Sequence, residues 1–323
     1  MLDYKNFISD LFNTNSSNFE SKALSLFKYQ YQYNDIYQKF CSNLKKTPEN
    51  VSRLEEIPFL PIELFKFHEI RTEEWTPEKT FLSSGTSMAY RSKHQIRNLG
   101  FYHENAKVIF ESKYGKLDQW TIFALLPSYL EQGDSSLISM VDSFIKYSKP
   151  ESGYFLQNHE ELKDRLHNTS GKKLLIGVTY ALLDLIESFE INAQDLVIME
   201  TGGMKGRRKE MIKEELHSIL KKGFNQEAIH SEYGMCELTT QAYGEHTNLS
   251  FPKWARVLVR DTNDPLTILP KNKTGGINVI DLANVHSCAF IATQDLGITK
   301  KNEIFEVLGR FDNSDIRGCN LLV

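Results

Sequence analysis

Apolar positions change their spacing as the chain proceeds. Ala23, Leu24, Phe27 and Tyr31 recur at helical intervals with Glu20, Lys22 and Lys28 around them, so the stretch up to about Thr76 reads as amphipathic helix. Pro58 and Pro61 in "IPFLPIELFKFHEI" make a continuous helix there unfavourable. Beyond it, short apolar runs alternate with helical patterns. "WTIFALLP", "KKLLIGV", "LVIMETGG" and "EAIHSEYG" read as strands. "TYALLDLIESF" and a long segment from about Gly206 to Lys222 read as helices, the latter with Met211, Ile212, Leu216, Ile219 and Leu220 on one face. This alternation predicts an α/β fold of mostly parallel sheet flanked by helices. From about Phe251 the runs "KWARVLVRD", "GGINVIDL", "SCAFIATQDLG" and "NEIFEVLGR" are short and separated by polar turns, which predicts a small antiparallel β subdomain. The division is therefore an N-terminal helical segment, 1–76, an α/β core, 77–250, and a β subdomain with the C-terminal tail, 251–323.

Composition narrows the class. The 323 residues are 41% hydrophobic and 25% charged, which is enough for a large buried core. A net charge of −4 provides no field favouring nucleic acid or an anionic membrane. The longest near-continuous apolar run, Leu174 to Leu183, is about half of the ~20 residues a membrane span needs. The start, "MLDYKNFISDLF", is interrupted by Asp3 and Lys5 and does not read as a signal peptide. The four cysteines, Cys41, Cys236, Cys288 and Cys319, form no CxxC pair and suit neither zinc nor a disulfide framework, which fits a reducing cytoplasm.

Candidate chemistry sits at the punctuation between these runs. In "FLSSGTSMAYRSKH", Ser83, Ser84, Gly85, Thr86 and Ser87 offer hydroxyls and closely spaced amides that suit phosphate oxygens, although a surface turn has the same composition. It is not a Walker loop, because GxxxxGK[ST] is absent. Gly202 and Gly203 end a strand, where backbone can approach a flat base or simply turn tightly. Arg207, Arg208 and Lys209 follow, on a solvated face or beside an anion. In "HSEYGMCELTTQ", Tyr233 before Gly234 can present a ring for stacking. Glu237 can hold Mg²⁺, a hard cation that takes oxygen ligands and bridges phosphates. The acidic neighbour Glu237 argues against Cys236 as an activated nucleophile. Asp295 in "IATQDLG" suits a sugar hydroxyl or a turn. Arg310, Asp312, Asp315 and Arg317 near the end read, on charge alone, as a salt-bridge cluster.

The order of these motifs is more specific than any one of them. SSGTS, a Gly-Gly strand end, YGMCE, TQDLG and GRFDNSDIRG, from Ser83 to Gly318, resemble the ordered motifs of the adenylate-forming superfamily. "FLPIELFKFHEI", "TGGMKGRRKE", "YGMCELTTQ" and "DNSDIRGCNLL" are most similar to LuxE-type acyl-protein synthetases (long-chain-fatty-acid–protein ligases), relatives of phenylacetate–CoA ligase. The resemblance implies that 77–250 is a nucleotide-binding core using ATP and Mg²⁺. It implies that Ser83 to Ser87 hold the β- and γ-phosphates, Gly202 and Gly203 form the adenine-side turn, Tyr233 packs on adenine beside Gly234, and Glu237 carries the metal. Asp295 then binds ribose, Arg310 contacts ribose or the α-phosphate, Asp312 lies at the hinge, and Cys319 accepts the acyl group.

Three departures accompany the resemblance. Met88, Ala89 and Tyr90 stand where the family's phosphate-loop lysine is expected, leaving Arg91 or Lys93 to substitute. Cys236 replaces the usual threonine of YGxTE. The sequence stops shortly after Gly318, so the usual C-terminal lid domain with its lysine is expected to be lacking. The expected function is ATP-dependent activation of a carboxylic acid, in the LuxE-type reading a fatty acid, as an acyl-adenylate, with transfer to a thiol. The implied partners are the acid and either CoA or a reductase, acyltransferase or carrier protein. An acyl- or aryl-CoA ligase and a non-catalytic nucleotide-binding subunit are the alternatives.

Overall fold

A computed structural model describes residues 2–83, 91–127, 133–156, 158–202 and 211–311. Two compact units divide the chain: residues 77–250, and residues 1–76 together with 251–323. The N-terminal helices and the C-terminal strands, separated in the sequence reading, thus share one core. Helix Phe19–Tyr33 buries Phe19, Ala23, Leu26 and Phe27 on one side. On the same side lies Gln30, fully buried, whose amide nitrogen donates to the carbonyls of Asn284 (2.9 Å) and Val285 (3.0 Å) while its oxygen accepts from the Ala289 amide at 2.9 Å. A buried amide with its donors and acceptor satisfied holds two segments in one arrangement, because removing it would strand several backbone groups. The proline-rich stretch supplies only β1 (Leu60–Pro61) and a short helix, Leu64–Phe67.

In the 77–250 unit, β2 (Lys79–Leu82) and β3 (Lys93–Ile96) form an antiparallel hairpin. The main sheet contains β4 (Thr121–Leu125), β5 (Gly153–Tyr154), β6 (Lys173–Val178), β7 (Leu196–Thr201), β8 (His230–Tyr233), β9 (Ala242–Glu245) and β10 (Asn248–Ser250). Their order is β10-β9-β8-β7-β6-β4-β5; β4 to β8 run parallel, and the β9 and β10 pairings are antiparallel. Every residue of β4 and β6 is buried, as expected of strands covered on both faces. Even Lys173 follows, its ammonium donating to the Thr169 carbonyl at 2.8 Å. Helix Thr179–Ser188 follows β6 directly, and helix Lys213–Phe224 lies between β7 and β8.

That last helix begins later than its apolar spacing predicts. Ile212 is the N-cap, with extended backbone, and is 68% exposed, so it leaves the face formed by Leu216, Leu220 and Phe224. Residues 203–210 lie outside the described part.

The other unit closes with β11 (Ala255–Arg260), β12 (Thr274–Asp281), β13 (Phe290–Thr299) and β14 (Ile304–Arg310), an antiparallel run, with β1 parallel to β13. These are antiparallel strands, as the short runs predict, but they share their unit with the N-terminal helices. Among the described residues no helix is long and apolar enough to cross a membrane.

Candidate active site

In the sequence the serine-rich stretch lies between β2 and β3. Ser84, Gly85, Thr86 and Ser87, together with Met88, Ala89 and Tyr90, lie outside the described residues, so only the neck of the loop can be read. Ser83 is committed there. Its amide donates to the Ser92 carbonyl (3.1 Å) and its hydroxyl accepts from the Ser92 amide (2.9 Å). Arg91, expected to stand in for the missing lysine, braces the same neck. Its Nε donates to the Ser83 carbonyl, and its Nη2 to the Leu82 carbonyl at 3.4 Å. Lys93 is exposed on β3.

One residue along the hairpin, buried His94 donates from Nδ1 to the Cys236 carbonyl at 2.7 Å; a carbonyl can only accept, which fixes the tautomer. The loop neck is thereby tied to the YGMCE turn. That turn is closed by the Leu238 amide donating to the Met235 carbonyl at 3.1 Å, and it carries Glu237, 5% exposed. Asn105, fully buried on helix Leu99–Tyr114, donates to the Thr239 carbonyl (2.9 Å) and to the Thr240 hydroxyl (3.2 Å), which holds the segment after Glu237. Cys236 is buried, and burial, reinforced by the Glu237 charge, pushes its thiol well up. It is not an activated nucleophile.

Gly202 and Tyr233 end adjacent parallel strands. The register pairs Thr201 with Glu232, which brings the next residues of β7 and β8 out together. Gly202 has φ +71°, in the region that favours glycine, and its carbonyl accepts from the Thr179 hydroxyl at 3.1 Å. Tyr233 is half-buried and Gly234 exposed. Gly203 lies outside the described residues.

Below this edge are two buried carboxylates that motif reading did not select. Glu232 accepts from the Thr201 hydroxyl, and its own carboxylate would meet a Cβ at Gly234 at 2.5 Å. Burial pushes its carboxyl up to about 7, with the Glu200 charge adding to the rise. Glu200 behaves oppositely. Burial opposes its ionisation, but Lys213 at 2.9 Å, His217 and the Ser231 hydroxyl at 2.6 Å outweigh that and hold it below the usual carboxylate range. The two acids are thus pushed apart in pKa by their environments, an arrangement common at functional sites.

Asp295 and Arg310 lie in the other unit, where the structure brings them together. The β13–β14 register sets them opposite each other, and Arg310 Nε meets Asp295 Oδ1 at 3.3 Å. Asp295 stands within β13 rather than in a turn after it, and is 8% exposed; the Arg310 side chain is 78% exposed. A pair with one partner in water contributes little to stability, so Asp295→Ala is expected to fold. If the pair binds ribose, as the resemblance implies, ATP affinity should fall by about 2 kcal/mol, roughly thirtyfold, through loss of a charge-assisted bond. Calorimetry with unchanged affinity would leave the pair as a surface brace. Asp312, Asp315, Arg317 and Cys319 lie outside the described residues.

Residues 9–99 match the family described as acyl-protein synthetase, LuxE. A long-chain-fatty-acid–luciferin-component ligase of Vibrio harveyi is 26% identical over 338 residues, covering 91% of this chain and 84% of that protein. Its counterpart from Aliivibrio fischeri is 23% identical, with 91% and 85% covered. Among solved structures, ATP-bound MatB from Rhodopseudomonas palustris superposes with TM-score 0.55 at 14% identity, over 72% of this chain, which spans 47% of MatB. A 2-hydroxyisobutyryl-CoA ligase in its postadenylation state gives TM-score 0.68 at 11% identity, over 93% of this chain and 69% of the ligase. At such identities the structural likeness concerns the fold. The chain is thus similar over residues 9–99 to the acyl-protein synthetase family LuxE, and over most of its length to two long-chain-fatty-acid–luciferin-component ligases, and it has the fold of adenylate-forming CoA ligases.

Proposed function

We propose that the protein activates a carboxylic acid with ATP and passes the acyl group to a thiol, the acid being fatty, as the names of its relatives suggest. The observation that supports this reading is the tie from His94 on β3, the strand after the hydroxyl-rich segment, to the Cys236 carbonyl in the turn that bears a buried carboxylate, Glu237. In the first step a carboxylate oxygen forms a bond to the α-phosphorus, the bond to the β-phosphate oxygen breaks, and pyrophosphate leaves. In the second, a thiolate sulfur bonds the acyl carbon and AMP leaves with the electron pair. The protein's contribution is positioning and charge. The resemblance assigns the phosphates to Ser83–Ser87, the base to Tyr233 and Gly202, and the ribose to Asp295 and Arg310.

Among the described residues no three metal-ligating side chains cluster. A single carboxylate fits Mg²⁺ all the same, because this ion keeps waters and substrate phosphates and takes one or two protein carboxylates. Glu237 would hold it, and the ion would neutralise phosphate charge. Glu237→Gln retains the shape and removes the charge. ATP–pyrophosphate exchange with a fatty acid is expected to drop about tenfold, the lower range for losing a charged partner, with partial recovery at raised Mg²⁺. Exchange equal to the parent at every Mg²⁺ level would remove Glu237 from the site, and absence of exchange in the parent with fatty and aromatic acids alike would sink the activity itself.

A further inference from the structure

Arg260 ends β11 in an enclosed place and is 9% exposed. Arginine is seldom buried unless a carboxylate pairs with it. Here its donors go to neutral oxygens: Nη1 to the Ile277 carbonyl and to Asn278 Oδ1, each at 2.8 Å, and Nη2 to the Thr293 carbonyl at 2.6 Å. Burial disfavours the charge, while the carboxylates of Glu63 and Asp295 favour it. The sheet is shaped around this group. Gly276 is the partner of Arg260 on β12, and a Cβ there would lie 2.5 Å from Cζ of the guanidinium. The β12–β13 register slips between Gly276 and Asn278. Asn278, fully buried, gives its oxygen to Arg260 and leaves Nδ2 without a partner. A stranded buried donor is costly, so the guanidinium governs how that amide is turned.

Bracing three strands would need only those acceptors. The face of the guanidinium has a further partner: Cζ lies over the Phe311 ring, 5.3 Å from its centroid, within range of a cation–π contact. Phe311 follows Arg310, and the residues before it have little packed against them. Leu308 is 52% exposed, and a Cβ on Gly309 would meet no atom within 4 Å. Phe311 itself is tied twice, by its ring on Arg260 and by its amide, which donates to the Gln294 carbonyl at 2.8 Å. Gln294 in turn donates from its side chain to Glu63. We propose that Arg260 and Phe311 are positioning residues: the buried guanidinium holds the Phe311 ring, and the ring fixes Arg310 opposite Asp295. Their effect on ATP rests on the reading of Asp295 and Arg310 as the ribose side of the site.

The test is calorimetry of the full-length protein with ATP and Mg²⁺. Arg260 is kept, because its removal would strand three buried acceptors. Phe311→Leu retains apolar bulk but offers no π face, and should weaken ATP binding about fivefold, the effect of one such contact. Phe311→Trp presents a face to the cation and should recover the affinity. In an Arg310→Ala background Phe311→Leu should add nothing, because the residue it positions is gone. A brace that only stabilised the sheet would give neither the rescue nor the loss of additivity. Hydrogen exchange at the residue-311 amide, which needs no nucleotide, should speed up about fivefold in Phe311→Leu and not in Phe311→Trp. If Arg310→Ala weakens ATP while Phe311→Leu binds it like the parent, the positioning role is overturned. An undiminished effect of Phe311→Leu in Arg310→Ala overturns it too. Arg310→Ala with the parent's affinity would instead sink the ribose reading, and unchanged exchange at residue 311 would then overturn the hold of Arg260 on Phe311 as well.

Discussion

Incubated with ATP, Mg²⁺ and a long-chain fatty acid, the protein is expected to gain one acyl mass, and the Cys319→Ala variant none. The argument proceeds by the fate of the other thiols. Cys41 is fully buried and burial pushes it up to about 12; Cys288 is fully buried and likewise pushed up. Cys236 is buried beside Glu237, with its thiol raised by the same burial and by that charge. The thiolate is the nucleophile, and burial in apolar surroundings suppresses it. Cys319 is the remaining cysteine of the sequence, and it is the residue to which the family resemblance assigns the acyl group. Hydroxylamine should release the label, as expected of a thioester. Cys41→Ala and Cys288→Ala, where they fold, should label like the parent, and the pyrophosphate exchange of Cys319→Ala should be unchanged. Label on another cysteine would refute the carrier role. Efficient acylation of CoA by Cys319→Ala would identify a CoA ligase instead.

Glu232→Gln should make the protein more stable at alkaline pH by about 3 kcal/mol while leaving it unchanged near pH 4.5. Burial raises the folded-state carboxyl from 4.5 to about 7. Between those values the folded chain keeps a proton that the unfolded chain has released, so stability falls as pH rises through the window and levels off above it. That interval corresponds to about 3 kcal/mol. Glutamine imitates the protonated acid, still accepts from the Thr201 hydroxyl, and removes the penalty. Urea unfolding at pH 5 and pH 8 measures the effect directly. Parallel stability profiles for parent and variant would show that Glu232 is not held neutral. Because Glu232 lies beneath Tyr233 and Gly234, the same titration should alter ATP affinity above pH 7 in the parent and not in the variant.

Much of the chain's organisation was legible before folding. The runs "WTIFAL", "KLLIGV" and "LVIMET" are long enough and apolar enough to be strands buried on both faces, and they are β4, β6 and β7. The short runs after Phe251, separated by polar turns, became antiparallel strands, of which β12 is buried at every position after Thr274. The glycine at 202 marked a turn that its positive φ requires. The order of short motifs carried the family resemblance, and hence the candidate residues.

Other features had no signature in the sequence. Gln30 reads as a solvated helix position, yet it is fully buried, since its amide finds backbone partners 254 and 255 residues away. "HSEY" is a polar run within the predicted strand "EAIHSEYG". Between β7 and β9, however, Ser231 and Glu232 are both enclosed, and the neutral acid at Glu232 results from that enclosure. Arg91 was expected to stand in for the phosphate-loop lysine, yet it braces Ser83, and the link from His94 to the Cys236 carbonyl has no mark in the sequence. Local patterns determined which segments became strands, helices and turns, because hydrophobic spacing and backbone freedom act over a few residues. Which polar groups were buried, which partners satisfied them and which protons they kept was decided by tertiary structure alone, because desolvation and hydrogen bonding depend on neighbours brought in from distant parts of the chain.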